Sequence, residues 1–167
     1  MSFLPARIIR GALAPRRCLS VNKRLWNRVL YELRCRGNAQ RESGAFLLGH
    51  HEGGRRRITL ALFYDDLDPH ALDSGSISLD GSVYARVFSE CLHRSCRVVA
   101  DVHTHPSKSH QSFIDRQQPM IREAGHVALI VPHYALRGDR GIGVNEYRGG
   151  GRWVELPTTA FYRGIFG

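Results

Sequence analysis

The stretch RVVADVHTHPSKSHQSFID, residues 97–115, carries the pattern from which both the fold and the chemistry of the chain are predicted. Its first half is rich in β-branched residues, which is typical of a strand buried within a sheet. Pro106 cannot continue a strand ladder, so the strand is expected to end there. His103 and His105 therefore lie at the carboxyl end of a buried strand, where α/β proteins commonly build their sites.

The two histidines are spaced so that a single metal ion can contact both. Side chains two residues apart on a strand point to the same face, so His103 and His105 present their imidazoles together. Ser112 and Asp115 follow at the expected start of a helix, where a carboxylate can complete a three-ligand zinc set with one coordination position left open. Taken alone, Ser112-x-x-Asp115 is equally the pattern of a helix capping box.

Hydrolysis at such a centre also requires a general base, and two carboxylates in the preceding hairpin are candidates. Glu42 stands just before the apolar run GAFLLG, and Glu52 lies in the turn after it. Glu42 is preferred, because a residue at the entry of a strand can reach the edge of the sheet beside the histidines. His110, in the loop between the ligands, is interpreted as a solvated residue or a nearby proton donor.

The remaining elements are predicted from apolar periodicity and turn residues. The helices are expected from Ser20 or Asn22 to Gly37, over residues 80–96 with an apolar face of Tyr84, Val87, Phe88 and Cys91, and over residues 112–125 with a break at Pro119. The strands are expected at residues 44–49, 57–64, 96–105, 126–132, 142–148 and 152–157. This order predicts a single-domain α/β protein with a mixed central sheet flanked by helices, and residues 65–81 as a surface loop with room for a short strand.

Composition fits one globular domain of 167 residues, and no apolar run is long enough to span a membrane. Cys18, Cys35, Cys91 and Cys96 form no C-x-x-C pair, so reduced thiols and a cytoplasmic location are expected. Residues 1–16 are basic and predict an N-terminal arm or an added edge strand before a domain of residues 17–167, although their arginine content also resembles a mitochondrial transit peptide.

Together these positions resemble the JAMM signature of the MPN+ (JAB/Mov34) metalloprotease family. The signature is a glutamate ahead of a strand, then H-x-H-P, then S-x-x-D, and the matching residues are Glu42, His103, His105, Ser112 and Asp115. The similarity covers roughly residues 17–157, because the surrounding helices and strands follow in the family's order. The segment SKSHQ between the proline and the serine is one residue shorter than is usual in the family.

The resemblance implies a cytidine-deaminase-like α/β sandwich and a peptidase that cuts after the C-terminal residue of ubiquitin or a ubiquitin-like modifier. It implies that His103, His105 and Asp115 bind Zn²⁺, that Glu42 is the acid/base, and that Ser112 supports the oxyanion. The chain lacks the long insertions of eukaryotic relatives, which favours the bacterial members. These act on ubiquitin-like proteins beside E1-like and E2-like partners, or process sulfur-carrier precursors.

Three other interpretations compete with this one. A zinc base deaminase requires a P-C-x-x-C pair of thiolate ligands, which the sequence lacks. A metal-free MPN scaffold typically lacks one or more of the ligands, and here each one is present. A basic interaction module is suggested by the net charge of +9. Basicity alone is weak evidence for nucleic-acid binding, and no recognition motif accompanies it, so nucleic acid is not an expected partner.

Overall fold

The structure, a computed structural model, describes residues 18–74 and 77–164 of the chain. The N-terminal arm predicted for residues 1–16 lies outside these described residues. Within the described part the strands are β1 (Leu19–Asn22), β2 (Gly44–Glu52), β3 (Arg55–Phe63), β4 (Arg97–Thr104), β5 (Val127–Val131), β6 (Leu136–Asp139), β7 (Gly143–Gly149), β8 (Arg152–Leu156) and β9 (Phe161–Gly164). The helices are α1 (Lys23–Gly37), α2 (Tyr64–Leu67), α3 (Ser82–His93) and α4 (Phe113–Gln117).

Eight strands form one mixed sheet in the order β8-β7-β5-β4-β2-β3-β1-β9. The strand β4, which carries the histidine pair, is central, with β2 antiparallel on one side and β5 parallel on the other. The predicted hairpin is confirmed as β2 and β3, whose turn contains Gly53 and Gly54, both with positive φ. The predicted α/β class is therefore confirmed.

The long helix α1 begins where the sequence predicts. Asn22 is its N-cap, and the side-chain oxygen of Asn22 accepts a hydrogen bond from the Arg24 backbone N–H. The apolar stripe of this helix packs against one face of the sheet, and its side chains are among the most buried of the molecule. That stripe consists of Trp26, Val29, Leu30 and Leu33.

The opposite face of the sheet is covered by α2 and α3, which leave the carboxyl end of β4 open. Phe46 and Leu48 of β2 pack there against Val83, Val87 and Cys91 of α3. The apolar face predicted for this helix is partly wrong, since Val83 is only 1% exposed while Phe88 is 54% exposed. The two small cores fix the sheet from both sides and make β4 a rigid base for its terminal side chains.

Two further predictions about the elements are corrected. The break expected at Pro119 is present, since α4 ends at Gln117 and Pro119 disfavours helical geometry in the residue before it, but the helix expected to reach Gly125 does not resume. The surface loop expected over residues 65–81 includes α2 and the buried side chains of Ala71 and Leu72, and its described part contains no strand.

No helix in the described ranges has both the length and the apolar character that a membrane span requires.

Candidate metal centre

The histidine pair is positioned by the ends of three neighbouring strands. His103 is in register with Gly44 of β2 and Ile130 of β5, so its backbone is held on both sides. The chain leaves β4 after Thr104, and the His105 N–H donates to the Val131 carbonyl oxygen at 2.9 Å. Both imidazoles are therefore fixed by the sheet although His105 lies one residue beyond it, and they are only 5% and 7% exposed.

The third side chain, Asp115, comes from the first turn of α4. Ser112 caps this helix, because its Oγ accepts from the Asp115 N–H at 3.1 Å and its own N–H donates to Asp115 Oδ2 at 2.6 Å. This reciprocal pair is a capping box, one of the two interpretations of the pattern. The box restrains the Asp115 carboxylate and leaves its other lone pairs directed at the histidines.

His103, His105 and Asp115 converge on one point. Asp115 Oδ2 lies 3.2 Å from His105 Nε2, and Asp115 Oδ1 lies 3.6 Å from His103 Nε2. The two Nε2 atoms are 3.1 Å apart, and one ligand atom from each of the three residues lies within 4.8 Å of the others. Two imidazole nitrogens and a carboxylate oxygen are a donor set suited to zinc, so the three form a possible metal-binding triad.

Glu42 lies beside this triad, as the preferred placement of the base predicts. Its Oε1 is 3.8 Å from His105 Nε2. The segment is held by its neighbour Ser43, whose N–H donates to Thr104 Oγ1 at 3.0 Å and whose Oγ donates to the Leu33 carbonyl oxygen at 2.7 Å. The other candidate, Glu52, pairs instead with Arg57 at the far end of the hairpin.

The charges of the site are strongly coupled. Burial alone would lower the pKa of His103, but hydrogen bonds and charges from Asp101 and Asp115 raise that pKa to about 10. Burial acts to raise the pKa of Asp115, yet hydrogen bonds from His103 and His105 hold it well below its ordinary range. Burial raises the pKa of Glu42, against the opposing effect of the two imidazoles. Glu42 is thus a better proton acceptor than an exposed glutamate.

Sequence reasoning missed two residues behind the site. Asp101 is 1% exposed and lies two residues before His103 on the same face of β4. His126 is 5% exposed, and its Nε2 lies 2.6 Å from Asp101 Oδ1. The D-x-H-x-H alternation would have revealed Asp101, whereas His126 precedes β5 and only the strand pairing brings it near.

The triad opens into a cleft of about 400 Å³. Glu42, His103, Ser112 and Asp115 line one end of it. Other parts of the lining come from α3, from the segment before it and from the segment after α4, and they include Ile77, Leu79, Tyr84, Met120 and Arg122. The cleft beside the triad therefore combines polar and apolar side chains and includes one cation, Arg122.

Several other residues considered from the sequence lie away from the triad. His110 is exposed and lines a separate crevice with Trp153 and Glu155. His50 and His51 are exposed at the distal end of the β2–β3 hairpin. The four cysteines are free thiols in the structure.

No protein-family model matches the chain. Its fold is similar to the solution structure of protein DSY2949 from Desulfitobacterium hafniense, with a TM-score of 0.63 and 14% sequence identity. The similarity covers 87% of this chain and 93% of that chain. At this identity it concerns the fold alone, and it agrees with a single-domain α/β arrangement.

Proposed function

We propose that the chain is a zinc-dependent peptidase of the JAMM (MPN+) type, with the corresponding cytidine-deaminase-like fold. It would hydrolyse the bond after the C-terminal residue of ubiquitin or a ubiquitin-like modifier. The observation that carries the proposal is the convergence of His103, His105 and Asp115, with Glu42 Oε1 3.8 Å from His105 Nε2. A metal-free scaffold would have no need to keep two buried imidazoles and two carboxylates together, because such a cluster is costly to desolvate.

The side chains present fit a zinc ion. The two Nε2 atoms and the Asp115 carboxylate face one another, and His103 Nδ1 lies on the opposite side of its ring near a second carboxylate. This arrangement, with outer hydrogen-bond acceptors behind a ligating histidine, is usual for zinc centres. A zinc ion held there would supply a Lewis acid that polarises the scissile carbonyl and lowers the pKa of a water molecule.

The roles of the protein groups follow from their positions. The Glu42 carboxylate accepts the proton of the attacking water and then delivers it to the leaving amine. Ser112 Oγ already accepts a hydrogen bond from the Asp115 N–H, so its own hydrogen is available to the oxyanion that develops on the substrate carbonyl. Ser112 and Glu42 line the same cleft, as these two roles require.

The form of the cleft supports an extended peptide as substrate. A cleft of about 400 Å³ accommodates a few residues of main chain and excludes a folded domain. The flexible C-terminal tail of a ubiquitin-like protein is such a peptide. Leu79 and Met120 would contact its apolar side chains, and Arg122 would contact an acidic or carbonyl group.

The wider biological context stays a prediction. A ubiquitin-like protein or its conjugates are the expected substrate class, with E1-like and E2-like proteins as partners in the same pathway. A bacterial source, a cytoplasmic location and the absence of membrane or nucleic-acid partners are likewise expected from the sequence. The net charge of +9 favours docking of acidic protein surfaces.

The general base provides the direct test of catalysis. Glu42→Gln removes the proton acceptor and leaves the three proposed ligands intact. We expect cleavage of a ubiquitin or sulfur-carrier-type fusion to fall by at least about 100-fold, while zinc content is unchanged. Cleavage is followed by gel electrophoresis and mass spectrometry, and zinc by atomic emission.

Glu52→Gln is the matched control, because it changes a carboxylate in the same hairpin that pairs with Arg57 away from the cleft. This variant should cleave at the wild-type rate. A Glu42→Gln protein as active as the wild type would reject Glu42 as the base. A wild-type protein without zinc and without activity on either fusion would instead favour the metal-free scaffold.

A further inference from the structure

A buried carboxylate and a third imidazole form a row behind the metal-binding triad. Asp101 Oδ2 lies 3.7 Å from His103 Nδ1, on the side of the ring that faces away from His105 and Asp115. Asp101 Oδ1 lies 2.6 Å from His126 Nε2. The row therefore runs from Nδ1 of His103, on the side of the ring away from the triad, through Asp101 to His126, which precedes the neighbouring strand β5.

The surroundings of Asp101 indicate that this carboxylate is held by its contacts with the two histidines, His103 and His126. Among the described residues, the ion pairs of this carboxylate involve only His103 and His126, and its exposure is 1%. Burying a charged carboxylate so completely costs free energy unless its partners are held in place. Apolar side chains of similar size could fill the same volume, so the pair is not explained by packing alone.

Two atoms of the row have unused hydrogen-bonding capacity. Asp101 Oδ2 and His103 Nδ1 are both buried and have no hydrogen-bond partner in the described part of the chain. Their separation exceeds an ordinary N–H···O distance of about 2.7–3.2 Å, so a movement of about 0.5–1 Å by either side chain would join them. A hydrogen bond from His103 Nδ1–H to Asp101 Oδ2 would satisfy both atoms.

We propose that Asp101 and His126 are positioning residues for the ligand His103. Asp101 accepts the Nδ1–H hydrogen bond and thereby selects the tautomer whose Nε2 lone pair is free for the metal. His126 donates to the other carboxylate oxygen and prevents Asp101 from turning away. The inference rests on the proposed zinc site, and it adds two residues that the H-x-H…D pattern does not contain.

The consequence is a defined contribution to metal affinity. A ligating imidazole with a fixed orientation and tautomer loses less freedom on binding, and a carboxylate partner increases its basicity. Loss of such a partner typically weakens metal binding by about 10–100-fold. His105 has no comparable carboxylate behind it in the described structure, so the effect should be confined to His103.

The test compares zinc dissociation constants of wild type and Asp101→Asn, measured by competition with a chromophoric chelator. The asparagine has nearly the same shape, but its amide N–H₂ can donate to Nδ1 and favour the wrong tautomer. We expect zinc to bind about 10–100-fold more weakly. Long-range ¹H–¹⁵N spectra of the zinc-loaded proteins should show a His103 Nδ1–H whose proton resonance shifts in the variant, because its carboxylate acceptor is lost.

The matched control is Asp139→Asn. Like Asp101, Asp139 is a carboxylate that lies between two nitrogen-bearing side chains, but it is only partly buried and lies away from the triad. It accepts from Trp26 Nε1 at 2.8 Å and pairs with Arg163, on the α1 side of the sheet. This variant should bind zinc as the wild type does. If Asp101→Asn alone binds zinc more weakly, the loss is specific to the metal site. If both variants bind zinc more weakly, a general loss of stability explains the result.

Substitution of His126 tests the second half of the row. His126→Gln retains a side-chain N–H donor for Asp101, whereas His126→Leu removes it, so zinc affinity should be closer to wild type in the glutamine variant. These proteins also serve if Asp101→Asn does not fold.

Wild-type zinc affinity together with an unchanged His103 signal in Asp101→Asn, or equal affinities in His126→Gln and His126→Leu, would overturn the inference. A wild type that binds no zinc would overturn the proposed site itself, which is a separate result.

Discussion

Asp115 closes a helix cap and also lies in the possible metal-binding triad, two interpretations that the sequence presented as alternatives. Its carboxylate closes the capping box of α4 by accepting from the Ser112 N–H at 2.6 Å, and the same Oδ2 atom lies 3.2 Å from His105 Nε2. The cap therefore restrains the carboxylate in the position where a metal ligand is needed. A side chain with this restraint loses little conformational entropy on metal binding, which favours affinity.

A proton and a zinc ion compete for the His103 imidazole, and this competition predicts how zinc affinity depends on pH. In the metal-free protein the pKa of His103 is raised to about 10, so the imidazole is protonated at neutral pH. Zinc requires the deprotonated nitrogen, and its binding must release that proton. Zinc affinity should therefore increase with pH between about 6 and 8, by about tenfold per pH unit for one proton.

Isothermal titration calorimetry in buffers of different ionisation enthalpy measures this proton release directly. At about pH 7 we expect His103 to release about one proton for each zinc ion bound, because its pKa lies above that pH. A zinc affinity that does not change over the same pH range, with no dependence of the heat on buffer, would contradict the coupling of His103 to its two carboxylates.

At the scale of elements, the loop between β4 and α4 sets the position of Ser112 and Asp115. This loop is a residue shorter than usual for the family that the sequence resembles, and it packs tightly on β7. Gly143 lacks a Cβ where the backbone of Ser109 crosses the strand, and an added Cβ would overlap the Ser109 carbonyl oxygen. The glycine thus permits the close approach of this loop to β7.

Gly143→Ala is predicted to displace the loop and to misplace both residues of the capping box. Zinc should bind at least about tenfold more weakly, because a displaced ligand weakens coordination in the way that lost outer contacts do. Gly81→Ala is the control, since a methyl group added at Gly81 would meet open space and the backbone there is already in the helical region. Equal zinc affinities in the two variants would show that the Ser109 contact does not position the site.

The accuracy of the sequence-based prediction differs between elements for physical reasons. The helix α1 and the β2–β3 hairpin were predictable because a strong apolar period and turn glycines act over short distances. The strands β1 and β9 have four residues each and carry no such period, and their parallel pairing joins distant parts of the chain. Interactions of this kind are decided by tertiary packing, which local sequence does not report.

The same distinction holds for the candidate site. His103, His105 and Asp115 are close together in the sequence, so their convergence could be predicted from strand alternation and one turn. The proximity of Glu42 depends on the antiparallel register of β2 with β4, which the position of Glu42 at the entry of a strand suggests but does not fix. His126 gives no local signal, because its contact with Asp101 follows from the pairing of β4 with β5.

At the scale of the whole molecule, the sheet joins the parts of the site. Its central strands bring together the glutamate at the entry of β2, the histidines at the end of β4 and the segment before β5. Cores on both faces support these strands, so the groups are held by packing even without a bound ion. A metal bound to the folded protein alone would add stability that grows with its affinity.

Zinc content of the purified protein tests the central claim most directly. We predict about one zinc per wild-type chain, retained in His110→Ala, which changes an exposed histidine of the same loop, and lost in Asp115→Ala. Circular dichroism of each protein verifies that the variants are folded. A folded wild type that binds no transition metal, or an Asp115→Ala protein that binds zinc as tightly as wild type, would contradict the account.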